Sequence, residues 1–266
     1  MPSGLRSEER SDEGRGKTAR EGGPQASGAS RAPRGILVVT GTGTGVGKTV
    51  VTAAIAALAL ARGDRVAVVK PVQTGVGPDT PDADTIRRLA GVTDIHELAR
   101  FPDPLSPEAA ARVSGLPPLD MRAAAGYIAR LAEARDLVLV EGAGGLLVRY
   151  DTAGATIADL ASELSAPALV VTAASLGTLN HTALTCEALT ARKITNAGVV
   201  IGSWPRHPGL AELTNLTDLE VVAGEPLAGA LPAGSGLLGP ADFLAVSRAG
   251  LGPRLGGRGD APAGAR

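Results

Sequence analysis

The chain has 266 residues and a balanced charge, with 26 lysines and arginines against 27 aspartates and glutamates and a formal net charge of −1. This balance excludes a strong field that would gather nucleic acid or an anionic membrane, so we predict a small-molecule ligand. The single cysteine, Cys186, excludes an internal disulfide, and no uninterrupted apolar stretch reaches the roughly 18 residues of a membrane span. We therefore predict a cytoplasmic protein that binds neither nucleic acid nor a membrane.

Composition divides the chain into a folded part and two tails. Residues 1–34 mix Gly, Ser, Arg and Glu without hydrophobic periodicity, so we predict a disordered N-terminal extension. Residues 249–266 are rich in Gly, Pro and Arg and predict a flexible C-terminal tail. Residues 35–248 are predicted to form one domain, because α/β domains of about 200–250 residues are common.

Short apolar runs alternate with longer stretches rich in Ala and Leu, which is typical of βαβ units around a parallel sheet. The predicted strands are 36–40, 66–70, 137–141, 168–172 and 197–201, with a weaker one near 229–231. The predicted helices are 48–62, 83–90, 119–135, 157–164 and 180–192. The first five strands are apolar almost throughout, as strands covered on both faces must be. The predicted fold class is α/β, with a mainly parallel sheet and helices on both faces.

The loop after the first predicted strand reads GTGTGVGKT over residues 41–49. It approximates the phosphate-binding pattern G-x-x-x-x-G-K-[ST], except that Thr42 stands where the first glycine is expected. In that motif backbone N–H groups surround phosphate oxygens, the lysine reaches the outer phosphates and the hydroxyl meets Mg²⁺. The sequence therefore predicts a P-loop NTPase-like fold with a nucleotide site at Gly45, Val46, Gly47, Lys48, Thr49 and Val50.

Lys70 ends the second predicted strand, so its ammonium group is expected beside the phosphate loop. Phosphoryl transfer is accelerated mainly by positioning and charge neutralisation, and two lysines cover oxygens on both sides of the transferred group. A surface lysine that merely closes a strand is the alternative. Pro71 is expected to begin a turn, and Thr74 adds a hydroxyl near it. We predict that Lys48 and Lys70 are catalytic.

Glu141 ends the third predicted strand at the same sheet edge, where a carboxylate suits a Mg²⁺ ligand. The small residues Gly142, Ala143 and Gly144 that follow leave room for a bulky ligand. A Glu-Gly pair that merely starts a turn is the alternative. We assign all four residues to the predicted nucleotide site.

A second carboxylate is expected after the second strand, where Asp79, Asp82 and Asp84 are candidates. Asp82 follows a proline and precedes an apolar spacing typical of a helix, so it is expected at a helix N-terminus that faces the site. It is therefore our choice, and it completes the predicted nucleotide site. Asp79 and Asp84 remain open alternatives. The predicted metal ligands are Thr49, Asp82 and Glu141.

The segment after the fourth predicted strand reads LGTLNH over residues 176–181. It places Gly177, Thr178 and Asn180 at the start of a helix, where free N–H groups and hydroxyls receive a carboxylate. An ordinary helix N-cap is the alternative. Together with Thr74, these three are the predicted substrate-binding residues.

Four segments, in this order and at these spacings, resemble dethiobiotin synthase: GTGTGVGKT, KPVQTG at 70–75, EGAGG at 141–145 and LGTLNH. The resemblance runs from about residue 36 to residue 243. The family's loop also has five residues between its first glycine and Gly-Lys-Thr, as Gly41 and Gly47 show here. The resemblance identifies 35–248 as a ligase domain similar in fold to P-loop ATPases.

The resemblance also implies a reaction, co-substrates and partners. Dethiobiotin synthases close the ureido ring of dethiobiotin from 7,8-diaminononanoate, CO₂ and ATP or another nucleoside triphosphate with Mg²⁺, in biotin biosynthesis. By this resemblance Lys48 and Lys70 stabilise the transferred phosphoryl group and a carbamate, and Thr74 lies near the diamine. The resemblance further implies a homodimer, in which the LGTLNH turn reaches the substrate carboxylate across the interface.

Two departures from the family's pattern concern the substrates. Many members carry an Asn-Asp pair after the fifth strand, where the amide reads adenine, but this chain has Gly-Ser-Trp at 202–204. Many carry Ser-Pro-His before the mid-chain helix, whereas residues 106–108 are Ser-Pro-Glu. The preferred base and one substrate contact are therefore open.

A switch ATPase of the partitioning or positioning type is the alternative function, because it shares the fold. Such proteins usually carry an extra lysine early in the phosphate loop, and residues 41–46 contain none. They also tend to have a basic DNA-binding face or an amphipathic membrane tail, which this near-neutral chain lacks. Phosphate release that depends jointly on the diamine and bicarbonate separates the synthase from the switch.

Overall fold

The computed structural model describes residues 32–75 and 81–259, which form seven β-strands and eight α-helices. The strands are β1 (Gly35–Gly41), β2 (Val66–Thr74), β3 (Ile95–Phe101), β4 (Leu137–Glu141), β5 (Ala168–Thr172), β6 (Asn196–Trp204) and β7 (Gly229–Pro232). The helices are α1 (Lys48–Ala61), α2 (Asp82–Ala90), α3 (Pro107–Ser114), α4 (Met121–Glu133), α5 (Ile157–Glu163), α6 (Thr178–Ala191), α7 (Leu210–Ala223) and α8 (Pro240–Gly250). Short 3-10 turns occupy Ser235–Leu237 and Pro253–Leu255.

All seven strands join one sheet in the order β3-β2-β4-β1-β5-β6-β7, and each neighbouring pair is parallel. Because every strand runs in the same direction, the loops that follow the strands leave from one edge of the sheet, where ligands bind in this architecture. The predicted single α/β domain with a parallel sheet is confirmed.

Helices cover both faces of the sheet and form two hydrophobic cores. One core packs α1, α2 and α8 on the sheet and contains Ile55, Ile86 and Phe243, each fully or almost fully buried. The other packs α3 to α7 on the opposite face and contains Ile128 and Leu219. Burial on both faces explains why β1, β4 and β5 are nearly continuous apolar runs.

One predicted turn is strand instead, and another strand runs past its predicted end. β2 continues through Pro71, because it pairs with β3 beyond Lys70. Its pairing with β4 ends at Val69, so within the described residues Pro71 lies where one side of β2 has no partner strand and a missing N–H is tolerated. β6 likewise continues to Trp204 and pairs with β7.

Four elements were missed by the sequence prediction: β3, α3, α7 and α8. β3 reads IHELARF and is an edge strand, and edge strands carry charged residues that discourage pairing with other chains. It therefore lacks the continuous apolar run that marks the central strands. α2 and α6 also begin slightly earlier than predicted, at Asp82 and Thr178.

The predicted C-terminal tail is wrong for residues 249–259. Leu251 and Leu255 are buried in the core shared by α1 and α8, and Leu251 bridges to Gly229 at the end of the sheet. The Gly252 N–H donates to Ala228 O over 2.9 Å. Two buried leucines and backbone pairing therefore outweigh the Gly- and Pro-rich composition of this segment.

Of the predicted N-terminal extension, residues 1–31 lie outside the described part of the chain. Arg34 Nη2 donates a hydrogen bond to Asp64 Oδ1 over 3.0 Å, so this end of the predicted extension is tied to the domain. Residues 260–266 of the predicted tail and the candidate ligand Asp79 also lie outside it. Among the residues that the structure describes, no helix combines the length and the apolar character needed to cross a membrane.

Candidate active site

Glycines shape the phosphate loop, which connects β1 to α1. Gly47 has φ of 98°, a left-handed conformation that favours glycine, and it caps the N-terminus of α1. The loop also packs closely against Gly202 of β6. A Cβ atom added to Gly202 would stand only 2.0 Å from Val46 O and 3.0 Å from Gly47 Cα. The first N–H groups of α1, which have no partner within the helix, lie at this loop and suit an anion.

Lys48 begins α1 and is 7% exposed. Its Nζ donates a hydrogen bond to Gly43 O over 2.8 Å, so the side chain folds back across the loop. Burial, and then the nearby charge of Lys70, lower the pKa of Lys48 to about 8. Phosphate oxygens at this loop would supply the negative charge that favours the protonated form.

Thr49, Lys70, Asp82 and Glu141 come from four separate elements and meet beside the loop; we call them the carboxylate cluster. Lys70 Nζ lies 2.8 Å from Glu141 Oε1 and 2.6 Å from Asp82 Oδ2. Thr49 Oγ1 lies 2.9 Å from Asp82 Oδ1 and 2.8 Å from Glu141 Oε1. Because a hydroxyl has one proton, Thr49 donates to one carboxylate at a time.

The charges within the carboxylate cluster stabilise one another. Burial alone would lower the pKa of Lys70, but the charges of Glu141 and Asp82 outweigh it and raise that pKa. Burial would raise the pKa of Asp82, and here the Lys70 charge outweighs it and lowers that pKa. Lys70 and Asp82 are therefore both charged near neutral pH.

The carboxylate cluster fits a small divalent cation. Glu141 Oε2 is fully buried and is without a hydrogen-bond partner among the described residues, so part of this carboxylate's capacity is unused. Mg²⁺ is typically held by one or two carboxylates together with phosphate oxygens and water. Asp84, the alternative ligand, pairs with Arg87 on the exposed side of α2 and lies apart from the cluster.

Tyr150, which the sequence prediction missed, shapes the loop after β4. Its fully buried hydroxyl accepts a hydrogen bond from the Ala143 N–H over 2.7 Å, and burial raises the pKa of Tyr150. The Gly142 N–H donates to Val39 O over 2.9 Å. Both N–H groups are thus engaged within the protein, so Gly142 and Ala143 would contact a nucleotide through other atoms. Gly144 follows with φ of 69°.

The loop after β5 leads into α6. Gly177 caps the helix with φ of 93°, and Asn180 is exposed in its first turn. Thr178 is buried instead: its hydroxyl donates to Ala173 O over 2.7 Å, and its N–H donates to Ser175 O over 3.2 Å. The hydroxyl that we predicted to be free is therefore used to close the turn.

Thr74 and Val50 complete the predicted site residues. Thr74 ends β2 at the same sheet edge and is half-buried. Val50 lies in the first turn of α1, where a Cβ on Gly236 would stand 3.2 Å from its Cγ2. The loop after β7, which contains Gly236, therefore borders the site, and this was not predicted. Arg88 of α2 holds that loop in place by hydrogen bonds to the carbonyls of Gly236 and Leu238.

Comparison with known proteins decides the family. A family model described as an AAA domain matches residues 35–241. A relative named ATP-dependent dethiobiotin synthetase, from Frankia casuarinae, is 66% identical over 83% of this chain and 93% of its own. Relatives of the same name from Parafrankia sp. and Streptomyces coelicolor are 59% and 56% identical, over 84% and 86% of this chain and 94% and 96% of theirs. The chain belongs to the dethiobiotin synthetase family. The predictions of a synthase and of a C–N ligase are thereby confirmed.

Two solved structures of ATPases have a fold similar to that of this synthetase. The septum site-determining protein MinD from Pyrococcus horikoshii, complexed with Mg-ADP, has a TM-score of 0.54 and 17% identity, over 83% of this chain and 93% of that chain. The cell division ATPase MinD from Pyrococcus furiosus has a TM-score of 0.50 and 19% identity, over 84% and 97%. At such low identity the likeness shows the fold alone, and it confirms the predicted P-loop NTPase-like architecture.

Gly202 accounts for one departure from the pattern of many synthetases. A Cβ atom added to Gly202 would overlap the phosphate loop and would also stand 2.8 Å from Val171 Cγ1. No side chain larger than that of glycine therefore fits at this position in this structure. An asparagine at this position would displace the loop. The other end of this segment is fixed as well, because Trp204 O accepts a hydrogen bond from the Ala233 N–H over 2.7 Å.

Glu108, the second departure, lies in the first turn of α3. Its carboxylate accepts a hydrogen bond from Arg112 one turn later, over 3.2 Å, and its N–H donates to Arg149 O over 3.2 Å. The side chain is therefore used in a local ion pair in this structure.

A cavity of about 380 Å³ opens at the opposite edge of the sheet, at the amino ends of β1 and β6. Its lining includes Arg34, Asn196, Glu225 and Arg254. None of the predicted site residues lines it, so it is separate from the candidate active site.

Proposed function

We propose that this protein closes the ureido ring of dethiobiotin from 7,8-diaminononanoate and CO₂, in the cytoplasm, with Mg²⁺ and a nucleoside triphosphate. The observation that carries the proposal is the carboxylate cluster beside the phosphate loop, in a chain 66% identical to a dethiobiotin synthetase. ATP is the expected nucleotide, because the relatives are named ATP-dependent.

The proposed reaction has three steps. One amine of the diamine adds to CO₂ and loses a proton, which gives a carbamate. A carbamate oxygen attacks the γ-phosphorus, the bond from that phosphorus to the bridging oxygen breaks, and the nucleoside diphosphate leaves. The second amine then attacks the carbonyl carbon of the mixed anhydride, expels phosphate and loses a proton as the ring closes.

The two lysines supply positive charge where the phosphoryl group moves. Lys48 would contact the outer phosphates, and its hydrogen bond to Gly43 O, across the phosphate loop, supports this role. Lys70, which lies within β2, is kept charged by Glu141 and Asp82 at the point where carbamate and triphosphate are proposed to meet. Both act by electrostatic stabilisation of the transferred group.

Thr49, Asp82 and Glu141 would hold Mg²⁺, which neutralises charge on the β- and γ-phosphates when it is bound. Their mutual distances of 2.8 and 2.9 Å and the unused Glu141 Oε2 support this assignment. Asp82 is preferred to Asp84, because Asp82 lies within the cluster and Asp84 does not.

Gly177 and Asn180, at the N-terminus of α6, are proposed to receive the carboxylate of the diamine, with Thr178 shaping the turn and Thr74 near the amines. Leu176, just before α6, and Leu184, within it, are 87% and 56% exposed, which supports a homodimer that covers them. We expect Leu184→Glu to shift the protein to monomers in sedimentation velocity and to raise KM for the diamine. A dimer with unchanged KM would contradict the shared site.

The function is tested by phosphate release from Mg-nucleotide with the diamine and bicarbonate supplied together or one at a time. Full release is expected only with both, together with a product of the mass of dethiobiotin. The same assay with ATP, CTP and GTP identifies the preferred base. Release that is indifferent to the diamine and bicarbonate would contradict the proposal and would favour a switch ATPase.

A further inference from the structure

Four threonines form a hydroxyl cluster between the phosphate loop and α6, apart from the carboxylate cluster. Thr172, at the end of β5, is its centre: its Oγ1 lies 3.3 Å from Thr42 Oγ1, 2.7 Å from Thr178 Oγ1 and 2.8 Å from Thr182 Oγ1. Thr172 and Thr182 have no solvent exposure, and Thr178 is 4% exposed. Buried polar networks of this kind specify one arrangement of the elements that they join.

The direction of each hydrogen bond follows from the number of protons, because each hydroxyl donates once. Thr178 Oγ1 donates to Ala173 O over 2.7 Å, so it accepts from Thr172. Thr172 has then used its proton, so Thr42 and Thr182 both donate to it. The Thr172 oxygen thus donates one hydrogen bond and accepts two, which uses its full capacity.

The phosphate loop and α6 depend on Thr172 to different extents. The loop has other attachments, since the Thr42 N–H donates to Val171 O over 2.9 Å and Lys48 bonds to Gly43 O. Its hydroxyl contact with Thr172 is also the longest of the three. The start of α6, by contrast, places two hydroxyls on Thr172. Loss of the Thr172 hydroxyl is therefore expected to loosen α6 more than the phosphate loop.

We propose that Thr172 is a positioning residue that holds the start of α6 against the phosphate loop, so that the diamine and the triphosphate are presented to each other. The inference rests on the proposed function, in which Gly177 and Asn180 receive the diamine carboxylate. Thr172 acts through Thr178 and Thr182 and touches neither substrate. The position matters because attack requires the reacting atoms to approach to about 3–3.5 Å.

Steady-state kinetics of Thr172→Val, which keeps the shape and removes the hydroxyl, test the proposal. KM for the diamine is expected to rise about 5- to 30-fold, because both hydrogen bonds between Thr172 and α6 are lost, while KM for the nucleotide changes by less than about twofold. Thr172→Ser restores the hydroxyl and is expected to bring KM for the diamine back to within about threefold of the original value.

Thr40→Val is the matched control. Thr40 lies on β1, the strand paired with β5, and is also without solvent exposure, but its Oγ1 has no hydrogen-bond partner among the described residues. The same chemical change there removes no bond, so both KM values are expected to stay unchanged. Unfolding midpoints of all variants show whether each one is folded.

Amide hydrogen exchange tests the same point without turnover. In Thr172→Val, peptides over residues 176–184 are expected to exchange faster while those over 41–50 stay as in the original protein, and Thr40→Val should change neither. If Thr172→Val fails to fold, Thr182→Val removes one bond of the cluster and is expected to give the same pattern with smaller amplitude.

The outcomes separate this inference from the proposed function. Identical kinetics and exchange for Thr172→Val and Thr40→Val, or an equal rise in both KM values, would overturn the positioning role. An original protein whose phosphate release ignores the diamine would overturn the proposed function, and with it the presentation of the diamine. Exchange over 176–184 would then still show whether Thr172 holds α6.

Discussion

Replacement of Gly202 by alanine probes how closely the phosphate loop rests on the sheet. The added Cβ would stand 2.0 Å from Val46 O, whereas real Cβ atoms essentially never come within 3.0 Å of such an atom. The neighbours are backbone atoms of Val46 and Gly47 and the Val171 side chain, so no flexible side-chain end can move aside. The loop must therefore shift by about 1 Å, as small-to-large changes in packed sites generally require.

The expected effect of Gly202→Ala falls mainly on nucleotide use. Misplacement of reacting groups by about 1 Å lowers the rate by about 10²-fold, and overpacking of this kind costs about 1–3 kcal/mol of folding free energy. We expect kcat/KM for the nucleotide to fall about 10²-fold while the protein still folds. None of the three atoms nearest to the added Cβ belongs to the α6 turn that is proposed to receive the diamine.

The assay is kcat/KM for the nucleotide at saturating diamine, with the unfolding midpoint in urea as the measure of stability. Gly239→Ala is the matched control, because an added Cβ there meets nothing within 4 Å and φ is −74°. Unchanged nucleotide kinetics in Gly202→Ala would refute the close contact between the phosphate loop and β6. An equal loss in Gly239→Ala would show that the effect is not specific to that contact.

Three further substitutions have defined outcomes. Lys70→Ala is expected to lower turnover about 10²-fold or more, and to lower the free energy of unfolding by about 3–5 kcal/mol because Glu141 is left buried without its partner. Adding Glu141→Gln to this variant should recover the stability but not the turnover. Full turnover in Lys70→Ala would contradict the catalytic role of Lys70. Tyr150→Phe leaves the Ala143 N–H without its acceptor and should lower the free energy of unfolding, measured in urea, by about 1–3 kcal/mol. An unchanged unfolding midpoint would count against that hydrogen bond. Thr52→Val removes a buried hydroxyl that has no hydrogen-bond partner among the described residues. Thermal unfolding should therefore show equal or higher stability. A clear loss of stability would reveal a hydrogen bond that was missed.

The central strands and the phosphate loop were predictable because their information is local. Apolar runs of β-branched residues give buried strands, and Gly47, Lys48 and Thr49 belong to a loop whose shape follows from its own sequence. Lys70 and Glu141 were predicted at one site because the apolar runs before them lead to the same edge of a parallel sheet, although β2 continues past Lys70 to Thr74. Their placement at one edge was expected from topology, but their contact over 2.8 Å required the structure.

Features that depend on contacts between distant segments were not predictable. Pro71 suggested a turn, yet β3 pairs with β2 beyond it and keeps the strand extended. The Gly- and Pro-rich segment after α8 suggested a tail, yet Leu251 and Leu255 find places in the core. Tyr150 and Thr172 gave no local signal, because their roles arise only from the partners that the fold brings to their hydroxyls.

Transfer of an oxygen atom from bicarbonate to phosphate tests the central claim most directly. If a carbamate oxygen attacks the γ-phosphorus, freshly dissolved bicarbonate labelled with ¹⁸O should place one labelled oxygen in each phosphate released and leave another in the ureido carbonyl group of the product. Mass spectrometry of both products measures the label. Unlabelled phosphate, released at the same rate with or without the diamine, would contradict the ring-closing reaction proposed for this protein.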